Sequence, residues 1–328
     1  MLRRWNWLVI MMVVLIPFVG CSDDDESVLI PTPPIEDSAF DVMAAAAKAY
    51  INDNTQCPGV LAATALNDNL ANYTVIDIRS QANYDLGHIP GAYHSSLGTL
   101  IADLATIPND KPYVIACYSG QSAGHAKVAM ELLGYGEVYS LLFGMSAWHS
   151  SLDKWSTKCS DNLMPAHLET TNNNSGLATQ SFPTLSENVA TVVAERVALM
   201  LQNGFKAKSY ASIQDNLSNY FIVNYFGEAD YLGTGTSGVP GHISGAFQFT
   251  PYASMGFDEM LKNIPADKEV IVYCWTGQHS SQVTAYLNML GYDAYSMSNG
   301  SNNLFYGDLT AHKWGPGAMN DFMLETTP

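Results

Sequence analysis

The chain is expected to fold as two tandem α/β domains, each a mainly parallel central sheet flanked by helices. Three observations lead there. First, a buried-strand pattern passes into a helical pattern through a short polar loop headed by cysteine. This unit occurs twice, as Val114-Ile-Ala-Cys-Tyr-Ser-Gly-Gln-Ser-Ala123 and as Val270-Ile-Val-Tyr-Cys-Trp-Thr-Gly-Gln-His-Ser280. Second, the repeat extends outward. Gly87-His-Ile-Pro-Gly-Ala92 and Gly241-His-Ile-Ser-Gly-Ala246 precede the two cysteines, and Leu133-Gly-Tyr135 and Leu290-Gly-Tyr292 follow them at identical spacing. Third, 328 residues with 47% apolar content suit two packed cores, at roughly 150 residues for each.

Residues 1–37 belong to neither domain. Arg3-Arg4, an apolar run over 5–19 and then Gly20-Cys21 read as a signal peptide over 1–20, because the run is shorter than the ~18 residues a spanning helix needs. Val19-Gly20-Cys21 resembles a bacterial lipobox, which makes Cys21 the lipidated first residue of the mature chain. Phe18 departs from the aliphatic residue usual in that motif. Residues 21–37 hold Ser22-Asp-Asp-Asp-Glu26 and Pro31-Thr-Pro-Pro34, a composition that repels and stiffens, so they read as a tether. The expected location is the bacterial cell envelope, with the chain anchored to a membrane and facing the periplasm or exterior. A net charge of −17 without any Lys/Arg stripe excludes nucleic acid as a partner.

Domain one is placed at 38–160. It opens with an Ala-rich helix over 38–50 capped by Ser38 or Asp41, followed by a strand over 73–78 that ends in Asp77 and Arg79. Residues 161–186, rich in Asn, Thr and Ser and without periodic apolar pattern, read as a linker. Domain two, 187–328, begins with a helix over 188–203 and a strand over 220–224. There Asn224 replaces Asp77 and no arginine follows, which implies a loosened or differently braced second domain. The Gly233-Thr-Gly-Thr-Ser-Gly238 insertion is a candidate rim for the second site.

On these motifs, together with Val75-Ile-Asp-Ile-Arg79, Tyr84 and Gly144-Met-Ser-Ala-Trp148, the chain resembles the rhodanese family of sulfurtransferases over roughly 38–155 and 185–314. The resemblance implies transfer of sulfane sulfur from thiosulfate, polysulfide or a related donor to a thiol or cyanide-like acceptor, through a cysteine persulfide and without a cofactor or metal. Cys117 and Cys274 are the implied nucleophiles. Tyr118, Ser119, Gly120, Gln121 and Ser122 would surround one, and Trp275, Thr276, Gly277, Gln278 and Ser280 the other. Asp77 and Arg79 are then a structural brace, and His88 packs a turn. A thiolate at the head of a helix is favoured by loop N–H groups and the helix dipole. Most active rhodaneses carry an arginine five residues after the cysteine, whereas Ser122 and His279 stand here. His279 is therefore expected to act as the cation that makes Cys274 the more reactive thiol. A noncatalytic sulfur carrier, sensor or partner-binding module is the alternative. A cysteine phosphatase needs an arginine one position further on to grip phosphate, where this chain has Ala123 and Ser280.

Of five cysteines, Cys57 and Cys159 lie outside the repeated motifs. In an oxidising compartment they are expected to form a disulfide, closing a loop of about 100 residues worth ~2–4 kcal/mol.

Overall fold

The computed structural model describes residues 38–51 and 59–327. Each cysteine unit lies at the centre of a five-stranded sheet in which every pairing is parallel. In the first, strands β1 (Val60–Leu61), β2 (Thr74–Asp77), β3 (Tyr93–His94), β4 (Tyr113–Ala116) and β5 (Val138–Leu141) lie in the order β1-β5-β4-β2-β3. A short strand β6 (Leu168–Glu169) follows. The second sheet contains β7 (Ala207–Lys208), β8 (Phe221–Asn224), β10 (Phe247–Gln248), β11 (Val270–Tyr273) and β12 (Ala294–Met297), ordered β7-β12-β11-β8-β10 from its corresponding edge. β9 (His242–Ile243) pairs antiparallel with β6. The helices are α1 (Ala39–Ile51), α2 (Ala63–Asp68), α3 (Gln81–Leu86), α4 (Leu100–Asp103), α5 (Gln121–Leu132), α6 (Met145–Trp148), α7 (Val192–Asn203), α8 (Glu228–Tyr231) and α9 (Gln278–Met289).

The central strands are apolar throughout because both sheet faces are covered. In the first sheet Val75, Val114 and Ala116 enter one core, while Ile76, Tyr113 and Ile115 enter the core on the opposite face. α1 begins where expected, with both proposed caps in use: Ser38 Oγ accepts from the Asp41 N–H at 3.2 Å and Asp41 Oδ2 accepts from the Ser38 N–H at 2.8 Å. α7 begins at Val192, later than the expected 188. Asn188 instead turns the chain, its Oδ1 accepting from the Ala190 N–H at 2.9 Å, a local bond that competes with helix.

The boundaries drawn from sequence do not hold as packing boundaries. α1, α5, α7 and α9 form one layer in which every pair is in contact. The apolar face of α1, including Phe40, Met43, Ala47 and Ile51, joins the core of the second repeat, so residues 38–160 are not self-contained. In the other direction, Trp314, Met319, Phe322 and Leu324 complete the outer core of the first sheet. The expected linker is also structured. Glu169 pairs with His242 in the β6–β9 ladder. Asn174 matches the edge of β10 as a backbone would, donating Nδ2 to the Gln248 carbonyl at 2.8 Å and accepting from its N–H at 2.9 Å. Cys159 is a half-buried free thiol and is not joined in the expected disulfide; Cys57 lies outside the described residues.

The two arms are exchanged reciprocally. Glu169, leaving the first repeat, accepts from the Gly245 N–H at 3.0 Å and lies 3.7 Å from His242 Nε2. Glu325, leaving the second, accepts from the Gly91 N–H at 2.7 Å and lies 3.8 Å from His88 Nε2. Each arm thus caps the Gly-His-Ile turn of the other repeat. His88 packs its turn as expected, stacked at 3.7 Å on Tyr84, and His242 stacks at 3.7 Å on Tyr231 in the same way.

Candidate active site at two cysteine loops

Each cysteine follows the last residue of a central strand, β4 or β11, and precedes a twelve-residue helix, α5 or α9. This is where crevices form in open α/β sheets. Cys117 is 4% exposed and its Sγ accepts from the Gly120 N–H at 3.1 Å. Cys274 is 1% exposed and its Sγ accepts from the Ser280 N–H at 3.3 Å, with Ser280 Oγ at 3.7 Å. Negative charge on either sulfur would face a helix N-terminus and one pre-aimed donor.

A second segment holds each loop shut from beneath. The Cys117 carbonyl accepts from the Met145 N–H at 2.7 Å, and the Cys274 carbonyl from the Ser301 N–H at 3.0 Å. The preceding residues, Gly144 and Gly300, have positive φ, and a Cβ on either would strike the cysteine carbonyl oxygen. Only glycine permits that approach.

The rhodanese-like domain model matches twice, over residues 62–151 and 227–305, together more than half of the chain. The chain belongs to the rhodanese-like family. It is 37% identical over 76 residues to a thiosulfate sulfurtransferase GlpE of Pseudomonas paraeruginosa, covering 23% of this chain and 69% of that protein. It is 35% identical over 77 residues to the Shewanella oneidensis protein of the same name, covering 24% and 76%. Among solved structures, a thiosulfate sulfurtransferase of Pseudomonas aeruginosa aligns over 85% of this chain and 49% of its own, at 15% identity and TM-score 0.28.

Around this rhodanese-like pair the structure revises several expected roles. His279 is not a cation. It sits in a ring of aromatic side chains, 4.8 Å from Tyr225 and 5.0 Å from Tyr252 between centroids, and desolvation lowers its pKa to about 3. The imidazole is neutral at physiological pH. Gln121 and Gln278 reach across to the other repeat. Gln121 Oε1 accepts from the Asn299 N–H at 3.2 Å, and Gln278 Oε1 accepts from the Phe143 N–H at 3.2 Å. Asn299 and Phe143 immediately precede the bracing glycines and themselves have positive φ. Each loop therefore pins the segment that supports the other. Thr276 Oγ1 is an internal acceptor for the Gln278 N–H at 3.3 Å, and the Ser280 hydroxyl lies 2.8 Å from Ser296 Oγ. Ser122 lies in the first turn of α5, and Gly120 and Gly277 cap the two helices with left-handed φ.

The second loop is differently braced rather than loosened. Asp77 and Arg79 pair at 2.6 Å, Arg79 also donates to the Gly87 carbonyl, and its guanidinium carbon lies 5.2 Å from the Tyr118 ring centroid. In the second repeat Asn224 Nδ2 donates to Tyr273 Oη at 2.8 Å, and Phe226 stacks on Trp275 at 4.2 Å.

Cys274 lines a cavity of about 450 Å³ where the repeats meet, with Leu142 and Phe143 contributed by the first repeat and Trp275, Tyr252, His279 and Lys313 by the second. A counterpart of about 450 Å³ is lined by Tyr118, Ser119, Lys154 and Lys158 with Ser298 and Asn299 from the second repeat. The 233–238 insertion is no rim to either. It docks on the segment near Thr310, whose N–H donates to the Ser237 carbonyl. Phe143, Tyr252, His312 and Lys313 were missed from sequence because they lie outside the cysteine loops. The only signal was the similar placement of Phe143-Gly144 and Asn299-Gly300 after the two cysteines, which differs by one residue.

Proposed function

We propose that this rhodanese-like chain is a sulfurtransferase that carries sulfane sulfur as a persulfide on Cys274, with Cys117 as a second acceptor. The observation that carries the reading is the placement of Cys274 Sγ: at the head of α9, receiving the Ser280 N–H, on the wall of a cavity large enough for a donor. This replaces the histidine cation as the reason to rank Cys274 first. The thiolate attacks the outer sulfur of the donor, the donor's S–S bond breaks, and sulfite or a shortened polysulfide leaves with the electron pair. A thiol or cyanide then attacks the terminal persulfide sulfur and returns the cysteine thiolate. The test is intact mass after exposure to thiosulfate or polysulfide, in wild type, Cys274→Ser, Cys117→Ser and the double variant. Gain of up to two sulfurs is expected, the faster one lost with Cys274→Ser and the slower with Cys117→Ser, each followed by release to cyanide. Sulfur uptake by the double variant would remove both nucleophiles.

A sulfur-carrier role is the second reading, favoured by the absence of a cation on either loop. Loading of a single equivalent without turnover would select it. We also propose that the chain is anchored through a lipidated Cys21 in the cell envelope; residues 1–37 lie outside the described residues. Cys21→Ala should shift the protein from the membrane fraction to unprocessed or soluble material, and unchanged fractionation would refute the anchor.

A further inference from the structure

We propose that the Cys274 cavity is built for a sulfur donor with a flat apolar body and a single negative charge, an aryl thiosulfonate or its like, in preference to a small dianion such as thiosulfate. The inference rests on the sulfur-transfer reading and names the substrate class of that site.

The walls of the cavity are rings: Phe143, Tyr225, Tyr252, Trp275, His279 and His312. Among the described residues four non-glycine residues have positive φ, and three of them, Phe143, Tyr252 and His312, line this one cavity. Bulky residues rarely adopt that region, and each costs on the order of 1–3 kcal/mol. The fold sustains this cost where it places rings around a buried thiol. Tyr252 is fixed by its N–H donating to Tyr225 Oη at 3.0 Å and is 42% exposed at the rim. Trp275 is held between Phe226 and His312, at 4.2 and 5.1 Å. Asn302 secures the same wall, donating Nδ2 to the carbonyls of both Trp275 and His312 at 2.9 Å.

Charge points the same way. Among the described residues the lining contains no carboxylate, its histidine beside the thiol is neutral, and Lys313 is its one permanent cation. Lys313, whose exposed ammonium lies 3.4 Å from the Gly307 carbonyl and 4.5 Å from the Tyr306 ring centroid, is the cation a monoanion entering this space would recruit. A dianion would surrender water on two charges and recover one partner, a poor exchange against an aromatic wall. Size agrees: about 450 Å³ is some fifteen times the ~30 Å³ share of one water in the liquid, ample for a phenyl ring beside the reacting sulfurs. The cavity beside the first loop differs, lined by Lys154 and Lys158 with serine and asparagine.

In the reaction, the Cys274 thiolate attacks the outer sulfur of the thiosulfonate, the S–S bond breaks, and the arenesulfinate departs with the electron pair. The persulfide stays on Cys274 and no oxidant is consumed.

The experiment uses the full chain carrying Cys117→Ser and follows Cys274 persulfide by intact mass with benzenethiosulfonate, methanethiosulfonate and thiosulfate. Benzenethiosulfonate is expected to load at least about tenfold faster than the methyl donor, the discrimination an apolar pocket gives, with thiosulfate slowest. Tyr252→Gly keeps the left-handed backbone and removes the ring, and should bring the phenyl-to-methyl ratio within about threefold. Equal rates, or thiosulfate fastest, overturn the inference and leave sulfur transfer standing. If no donor loads Cys274, protection of its thiol from iodoacetamide by benzenesulfonate, which cannot donate sulfur, becomes the readout. Protection by benzenesulfonate but not by methanesulfonate or sulfate upholds the ligand class while the transfer reading falls; absence of protection overturns the ligand class as well.

Discussion

At the end of β2 a buried ion pair, Asp77 with Arg79, supports the first loop and places its cation against Tyr118; at the end of β8 the same two positions hold Asn224 and Phe226, and a ring covers Trp275 instead. Both loops thus keep an aromatic side chain covered from the strand end, and in both the acid or amide also accepts the N–H two residues on, at 3.0 Å from Arg79 and 3.2 Å from Phe226. The backbone arrangement is common to the copies. Its chemistry has been exchanged, from charge held at a desolvation cost to apolar stacking. The difference is electrostatic as well as structural: the first loop lies near the permanent buried cation of Arg79, for which the second has no counterpart among the described residues.

The sharpest way to break the comparison is to remove one partner of the ion pair. Arg79→Ala leaves the Asp77 carboxylate buried without its partner and should cost about 3–5 kcal/mol in denaturant unfolding. A loss below ~1 kcal/mol would show that the pair is not integral to the first repeat.

The next effect is acid-dependent. α5 carries a buried His125 where α9 carries Gln282, which accepts from Tyr50 Oη at 2.6 Å. Burial lowers the His125 pKa to about 4, and the backbones of Met200 and Ser281 beside the ring offset only part of that effect. Because the folded-state pKa lies below that of a free histidine, about 6.5, the unfolded chain takes up the proton first. Stability is therefore complete above pH ~6.5 and declines as pH falls toward 4. His125→Gln, which installs the second repeat's residue, should make the loss between pH 7 and pH 4.5 smaller by about 2–3 kcal/mol. Identical pH dependence of the two proteins would contradict the buried neutral histidine.

A smaller effect tests the aromatic brace. Phe226→Leu keeps apolar volume and loses the stack on Trp275, with an expected cost of about 0.5–1.5 kcal/mol and altered alkylation of Cys274 rather than Cys117. Smallest is the cross-repeat bond. Gln278→Ala frees the Phe143 N–H beneath loop one, so iodoacetamide should react with Cys117 at a rate changed by about fivefold, the equivalent of one hydrogen bond. Gln121→Ala should act likewise on Cys274. If each variant changes only the cysteine of its own loop, the reciprocal support is refuted.

Much of this fold was legible because it is periodic and local. The strands ending at Asp77, Cys117 and Cys274, the helices after the cysteines and the Ser38–Asp41 cap all follow from neighbours in sequence. What escaped reading depends on partners far away. His279 loses its charge through Tyr225 and Tyr252, from other segments. Gln121 and Gln278 resembled loop residues and are cross-repeat ties. The Asn-rich stretch looked like a linker because side-chain pairing with a sheet edge, as at Asn174, leaves no period. Tyr252 and His312 line the cavity from backbone conformations that no pattern announces.

The exchanged arms have a consequence for how the molecule is made. The first repeat is synthesised whole through Trp148, yet the residues that cover its outer sheet face, Trp314, Phe322 and Leu324, follow only after the whole second sheet. At ~5–20 residues per second, these residues leave the ribosome roughly 10–30 s later. Through that interval the nascent chain exposes tryptophan and strand surface that this later segment covers. The first repeat, though first translated, must finish folding last, and a chaperone or export factor that shields it has a defined window in which to act.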